Sequence, residues 1–187
     1  MYAGSNPTAL QSQQWLAQSM TALMAERPYS RITVRDLCQR VGLSRQTFYN
    51  FFPDKEAVLR FCLKQTYREQ FTALASRKEL PLPDLLEAFF SVVTQNRPLI
   101  DAILRDALYG ILYDEILAWV SAFAQRFISR EKKTQLLPYS EAMLSGALAQ
   151  LVVLWIRDEA PPSIEQLSSL LTAFFSGTLY GMNDNRP

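Results

Sequence analysis

The chain of 187 residues contains no histidine and only two cysteines, Cys38 and Cys62. Without histidine, it lacks the side chain most often used as a general base and as a metal ligand. The cysteines lack CxxC spacing, so no disulfide framework is predicted. The sequence also has no glycine-rich phosphate loop and no nucleophile–histidine arrangement. These absences argue against an enzyme, and no cofactor or metal is expected.

The chain also has little net charge and no long apolar run. The formal net charge is +1, so its bulk composition does not point to nucleic acid. The apolar run of residues 142–156 is uncharged but has fewer than the roughly 20 residues that cross a bilayer. The first residues have neither the basic start nor the apolar run of a signal peptide. A soluble cytoplasmic protein without a membrane partner is expected.

The charge is unevenly distributed along the chain. From Arg27 to Arg60 the basic residues outnumber the acidic ones by four, which leaves the rest of the chain at −3. A local basic region on a near-neutral protein is typical of one DNA-binding end attached to a body that does not bind DNA. Chance clustering of arginines is the alternative.

The segment 32–55 has the pattern of two short helices joined by a tight turn. Thr33 is predicted to cap the N-terminus of the first helix, and Ser44 that of the second. Gly42 follows the first helix and suits a left-handed C-cap. Pro53 is predicted to end the second helix. This arrangement specifies a helix-turn-helix, a common DNA-reading motif.

The second helix of this motif is predicted to have two chemically different faces. Phe48, Phe51 and Phe52 recur at helical spacing and should face the core. The outward positions carry Arg45, Gln46, Thr47, Tyr49 and Asn50. Arginine can pair with guanine, glutamine and asparagine with adenine, and the threonine methyl with thymine. An ordinary solvated helix face is the alternative interpretation.

Phosphate contacts are expected beside these base contacts. Tyr49 and Lys55 suit phosphate oxygens, as do the backbone N–H groups that begin the two helices near Thr33 and Ser44. Together with the outward polar face, they define the predicted DNA-binding set.

Apolar periodicity predicts helices along the rest of the chain and almost no strand. The predicted fold is all-α with about nine helices. A three-helix helix-turn-helix domain is expected over residues 8–53, and a C-terminal helical bundle over 54–181. The later helices are predicted near residues 54–76, 84–96, 99–107, 109–130, 138–158 and 163–177.

Residues 42–59 resemble the signature of tetracycline-repressor-like (TetR-family) transcriptional regulators, and the resemblance covers roughly residues 10–60. It implies a homodimer that binds a palindromic operator in double-stranded DNA, usually as a repressor. In that family, the positions matching Arg45, Gln46, Thr47, Tyr49 and Asn50 contact DNA. Those matching Thr33 and Lys55 contact phosphate.

One position departs from the family pattern. The family often has histidine or another polar residue where this chain has Phe51. An exposed phenylalanine there would favour a different function, in which the protein is a helical protein-binding module or co-regulator whose N-terminal domain no longer reads DNA.

Two C-terminal helices are predicted to form the dimer interface. The helix near 138–158 is apolar nearly all round, and the helix near 163–177 carries Leu167, Leu170, Leu171 and Phe174. Two such helices from each subunit would make a four-helix interface, an arrangement that the family uses. Burial within their own subunit is the alternative.

The predicted body is rich in aromatic residues, and in the family this domain often encloses a small-molecule pocket. Phe90, Tyr109, Tyr113 and Trp119 are candidate lining residues for such an effector site, with ordinary core packing as the alternative. The helical carboxylates are interpreted as solvated faces rather than metal ligands. They are Asp101, Asp106, Asp114 and Glu115.

Overall fold

The computed structural model of the chain describes residues 7–75, 81–127 and 135–175. Within those ranges the fold is all-helical, as predicted. The nine α-helices are α1 Pro7–Glu26, α2 Val34–Val41, α3 Arg45–Phe51, α4 Lys55–Ala75, α5 Leu82–Gln95, α6 Arg97–Arg105, α7 Tyr109–Phe127, α8 Leu137–Arg157 and α9 Ile164–Phe175. A 3₁₀ turn, Tyr29–Arg31, connects α1 to α2.

Most predicted helix limits agree with these bounds to within two residues. The main difference is at α6, which begins at Arg97 rather than at Leu99 and ends two residues early. Pro98 lies in its first turn, where proline is tolerated because the N–H it lacks would have no helical acceptor. The predicted ends of the seventh and ninth helices, at 128–130 and 176–177, lie outside the described residues.

Helices α1–α3 form the head of the molecule around two phenylalanines. Phe48 and Phe52 are fully buried, while Phe51 is half-buried and packs against the same core. Gly42 has a φ of +69°, the left-handed conformation that glycine adopts at low cost, and ends α2 as predicted. Leu43 then packs between the two helices.

The predicted apolar face of α1 is partly wrong. Four of its six members are buried, namely Leu16, Met20, Leu23 and Met24. Leu10 and Trp15 are 43% and 45% exposed. The buried stripe in this half of the helix instead consists of Ala9, Ser12, Gln13 and Leu16. Leu10 and Trp15 lie beside that stripe, because small and polar residues rather than the largest apolar ones face the core there.

Helix α4 links the head to the body, which consists of α5–α9. It packs against α1 on one side and against α5 and α7 on the other. The buried residues of head and body form one continuous apolar cluster, in which Val58 and Leu59 of α4 are fully buried. A displacement of α4 would therefore change the packing of both the head and the body.

Helices α8 and α9 each pack one side on the body, α8 on α7 and α9 on α5. Trp155 in α8 donates its indole N–H to the carbonyl of Pro162 (2.8 Å), which fixes the connection between them. By length and composition alone, α8 is the one described helix apolar enough to cross a membrane. Only 22% of its most apolar window is buried.

Both cysteines are buried thiols rather than parts of a disulfide. Cys38 lies on the inner stripe of α2, as predicted, and burial raises the pKa of its thiol. Cys62 in α4 donates a hydrogen bond to the carbonyl of Ala17 (3.3 Å), and burial raises its pKa to about 12.

Lys55, the first residue of α4, fastens the 3₁₀ turn to the rest of the head. Its Nζ donates to the carbonyls of Tyr29 (2.9 Å) and Ile32 (2.8 Å) and lies 4.2 Å from the centre of the Tyr29 ring. Burial lowers the pKa of this ammonium group. Lys55 thus has a structural role, whether or not it also binds phosphate.

Replacement of Lys55 by methionine should lower the free energy of unfolding by about 2 kcal/mol, because two carbonyls lose a charged donor. Lys64→Met is the matched control, since Lys64 is exposed on the same helix. Urea unfolding of both variants measures the difference. Equal stability of the two variants would contradict this role.

Candidate nucleic-acid interface

The outer face of α3 is polar and accessible. Arg45, Gln46 and Asn50 are exposed, and the Tyr49 side chain is 49% exposed. Arg45 and Tyr49 lie one helical turn apart, and the neighbouring Tyr49 side chain raises the pKa of the Arg45 guanidinium above its ordinary value. The rings of Tyr49 and Phe48 pack edge to face, with ring centres 5.4 Å apart. The core of the head therefore orients Tyr49.

The start of α3 is set by its cap. The Ser44 Oγ accepts a hydrogen bond from the Thr47 N–H (3.0 Å), and the two hydroxyls lie 2.8 Å apart. Because the Thr47 hydroxyl is held in this contact, its methyl group is the part left to approach a base. The predicted N-cap at Ser44 is confirmed.

The start of α2 is capped more firmly than the sequence indicated. Thr33 and Asp36 form a reciprocal capping box, in which the Thr33 N–H donates to Asp36 (2.8 Å) and the Asp36 N–H to Thr33 (3.2 Å). These hydrogen bonds to Thr33 hold the pKa of Asp36 below its ordinary value. The Thr33 side chain remains exposed at the surface of the head.

The basic region is smaller than the sequence count implied. Arg27 pairs with Asp36 (3.2 Å) and Arg40 with Glu26 (2.7 Å). Arg60 also pairs with carboxylates, so three of the nominal positive charges are already balanced. Lys55 keeps one of its three N–H donors beyond the two carbonyl bonds, so its predicted phosphate contact remains a prediction.

Two further arginines flank the capping box and were not predicted as contacts. Arg31 and Arg35 are exposed, and within the described part of the chain no carboxylate pairs with either. Both arginines were included in the charge count of the sequence. Only the structure distinguishes them from arginines such as Arg27 and Arg40, whose charges are balanced by carboxylates of the same chain.

The sequence of the head is also similar to that of known proteins. Residues 21–61 match the profile of the family described as "Bacterial regulatory proteins, tetR family". Over this segment the chain is similar to the TetR family. It is similar to the HTH-type transcriptional regulator EthR of Mycobacterium tuberculosis, with 42% identity over 59 residues. That match covers 32% of this chain and 27% of EthR.

A second relative matches a segment of similar length, and two solved structures share the fold. The dhaKLM operon transcriptional activator DhaS of Lactococcus lactis is 33% identical over 58 residues, which cover 31% of each protein. Lin0861 from Listeria innocua has the same fold, with a TM-score of 0.73 over 95% of this chain and 96% of its own, at 16% identity. The TetR-family repressor AlkX from Dietzia gives 0.55 over 94% and 96%, at 18% identity.

The matched segments span under a third of either curated relative. The family profile covers residues 21–61, which belong to the head and the start of α4. The likeness to the solved structures extends over the body at low identity, and there it concerns the fold alone.

The body encloses a narrow apolar cavity between α4, α5 and α7, and α8 contributes Val152 to it. The cavity volume open to water molecules is only about 50 Å³. In this conformation the cavity is narrow, and a ligand could enter only if the lining side chains moved apart.

The four aromatic candidates of the effector site occupy different places. Trp119 lines the cavity. Phe90 is fully buried in the core behind it, with its ring 5.3 Å from that of Trp155. Tyr109 and Tyr113 lie along a separate, open groove between α7 and α8, where Tyr109 hydrogen-bonds Arg157. Phe89, next to Phe90 in sequence, is the α5 aromatic residue that lines the cavity.

The interpretation of the carboxylates as solvated faces is wrong for two of the four. Asp101 and Asp114 are exposed, but the side chains of Asp106 and Glu115 are only 8% and 6% exposed. Glu115 lies on the cavity wall and Asp106 at the contact between body and head. Helical spacing did not distinguish these positions, because each carboxylate is buried by helices distant in sequence.

Asp106 and Arg105 join the body to the head. Asp106 accepts a hydrogen bond from the backbone N–H of Tyr29 (2.7 Å), and Arg105 donates to the carbonyl of Met24 (2.7 Å). The following residue, Ala107, has a φ of +56°, a strained conformation for a residue other than glycine. This corner between α6 and α7 therefore has a fixed geometry.

We expect this contact to weaken in acid. Burial acts to raise the pKa of Asp106, but the hydrogen bonds from Arg105 and Tyr29 outweigh it and hold the pKa below its ordinary value. A depressed carboxyl pKa contributes stability above the unfolded value, about 3.9, that is lost as pH falls through the folded value. The Asp106→Asn variant should therefore lose less stability than the wild type as the pH falls from neutral to below about 3.9.

Thermal unfolding across this pH range tests the prediction. Asp101→Asn is the matched control, because Asp101 is an exposed carboxylate on α6, the helix that Asp106 follows. Among the described residues it pairs only with Arg97 (3.7 Å). It should keep the acid sensitivity of the wild type. If Asp106→Asn keeps it too, Asp106 does not govern this dependence.

Proposed function

We propose that the protein is a DNA-binding transcriptional regulator that reads an operator through α3. The observation that carries this proposal is the outer face of α3, where Arg45, Gln46, Tyr49 and Asn50 are exposed side by side. Arg45, Gln46, Thr47, Tyr49 and Asn50 would contact the major groove. Thr33, Ser44 and Lys55 would contact phosphates, with Arg31 and Arg35 as additional phosphate partners.

The protein-binding alternative has lost its motivating observation. It required Phe51 to be an exposed apolar contact, and Phe51 instead packs against the core of the head. A head with a polar outer face and a capped recognition helix favours DNA.

The Arg45→Ala, Tyr49→Ala double variant should bind DNA at least about 100-fold more weakly at fixed salt, because base and phosphate contacts are lost together. DNA selected from a random pool with the wild-type protein provides the ligand for a gel-shift titration. Arg157→Ala with Tyr109→Ala is the matched control, since it removes the other Arg–Tyr pair, which lies in the body. Unchanged affinity of the head variant would refute the assignment of α3.

We propose further that the protein is a homodimer formed through α8 and α9. Several large apolar side chains on these helices are exposed: Tyr139, Met143, Leu154, Leu170 and Phe174. Those on α8 fall on one stripe at helical spacing, as do the two on α9. A monomer rarely leaves so much apolar surface in water. A second subunit explains the apolar character of α8 better than a membrane does, because α8 packs along α7.

A two-fold dimer would present two recognition helices to successive major grooves. The selected DNA should therefore be palindromic, with half-site centres about 34 Å apart. Repression is the mode we propose, and a reporter gene placed behind the selected operator distinguishes it from activation, the mode named for DhaS. We place this activity in the cytoplasm, where the DNA is.

The Leu154→Glu, Leu170→Glu double variant should sediment as a monomer where the wild type is a dimer, because burying two carboxylates in an apolar interface is costly. Leu10→Glu is the control, since Leu10 on α1 is 43% exposed, the same as Leu170. Circular dichroism should show unchanged helix content in both. A double variant that still sediments as a dimer would exclude these helices as the interface.

The body is proposed to bind a small effector in the cavity between α4, α5 and α7. Because α4 forms one wall of the cavity and carries Lys55 at its other end, a ligand that displaces α4 would also move the head. Effector binding would thereby change the distance between the two heads of the dimer and lower the affinity for DNA.

A further inference from the structure

Glu115 is a buried carboxylate on the wall of an apolar cavity. Its side chain is only 6% exposed. Oε1 receives a long hydrogen bond from Arg60 (3.4 Å), while Oε2 is shielded from solvent and has no hydrogen-bond partner among the described residues. A buried carboxylate oxygen without a partner costs free energy, and folded proteins rarely contain one without a functional reason.

The other polar groups of the cavity do not satisfy this oxygen. Tyr67 also lines the cavity, but among the described residues it forms no hydrogen bond with Oε2. Thr66 donates its hydroxyl to the carbonyl of Leu63 (2.7 Å), and Asn96 donates its amide to that of Val92 (2.9 Å). The remaining surface is mostly apolar and includes the rings of Phe89 and Trp119, whose centres are 5.2 Å apart. The cavity therefore has one unmet hydrogen-bond acceptor in an aromatic and aliphatic surrounding.

We propose that the cavity binds a small apolar or aromatic amine, whose ammonium group donates to Oε2 of Glu115 while its hydrocarbon part packs on Phe89 and Trp119. A cation fits best because it supplies both the missing donor and the opposite charge. A carboxylic acid would be repelled by Glu115 and by Asp114 beside it. The inference names the effector class for the regulator proposed above and rests on that function.

The same carboxylate connects the cavity to α4. Arg60 of α4 is bound by Glu56 of its own helix (2.9 Å), by Asp114 (2.9 Å) and by Glu115. An ammonium group at Oε2 would repel the Arg60 guanidinium and compete for the charge of Glu115. Occupation of the cavity would therefore weaken one of the polar contacts that hold α4 against α7.

The test compares three probes of matched shape on the full chain: 2-phenylethylamine, 2-phenylethanol and 3-phenylpropanoate. Calorimetric titration should show the amine binding about 10-fold or more tightly than the alcohol, and the acid most weakly. Glu115→Gln should weaken amine binding about 10- to 100-fold and leave the alcohol unchanged. Glutamine has the shape of glutamate, and a thermal melt checks that the variant is folded.

Asp114→Asn is the control variant, because Asp114 also binds Arg60 but is 54% exposed and does not line the cavity. It should bind the amine as the wild type does. Equal affinity for amine and alcohol, equal loss in both variants, or no binding of any probe at millimolar concentration would overturn the proposal.

The experiment separates this inference from the proposed function. These titrations contain no DNA, so amine binding can be measured whether or not the head reads an operator. A protein that binds the amine but no DNA would refute the regulator alone, and one that binds DNA but not the amine would refute the ligand class alone.

Discussion

The architecture depends on how the backbone of Tyr29 is held from two sides. Its N–H donates to Asp106 of the body, and its carbonyl accepts from Lys55 at the start of α4. The short 3₁₀ turn that carries Tyr29 is thus the place where α1, α4 and α6 meet through polar contacts. The apolar core is continuous but tolerates small shifts of one helix against another. These directional bonds fix the orientation of the head relative to α4 and to the body.

The second polar centre, Arg60 with its three carboxylates, lies further along α4 and faces the body. One helix therefore carries a structural lysine toward the head and a structural arginine toward the cavity, within two turns of each other. Because a helix transmits displacement along its axis with little deformation, the two centres are mechanically coupled. This coupling is local to the described residues 55–60 and needs no long-range pathway.

The sequence predicts the head in detail because its signals are local. The caps at Thr33 and Ser44 and the left-handed Gly42 act within a few residues of themselves, and so could be identified from spacing alone. The exposure of Leu10 and the burial of Asp106 and Glu115 could not be identified from spacing. Each depends on how segments distant along the chain pack together. Phe89 rather than Phe90 reaches the cavity for the same reason: both are buried, and only the packing of α5 against α4 and α7 distinguishes them.

The two buried thiols described above restrict what kind of signal the molecule can sense. Reactivity toward oxidants requires an accessible thiolate, and burial raises the pKa of both Cys38 and Cys62, the latter to about 12. Neither cysteine is thus poised to form a sulfenic acid or a mixed disulfide at neutral pH. An oxidant could reach either cysteine sulfur only after the helices around it had opened.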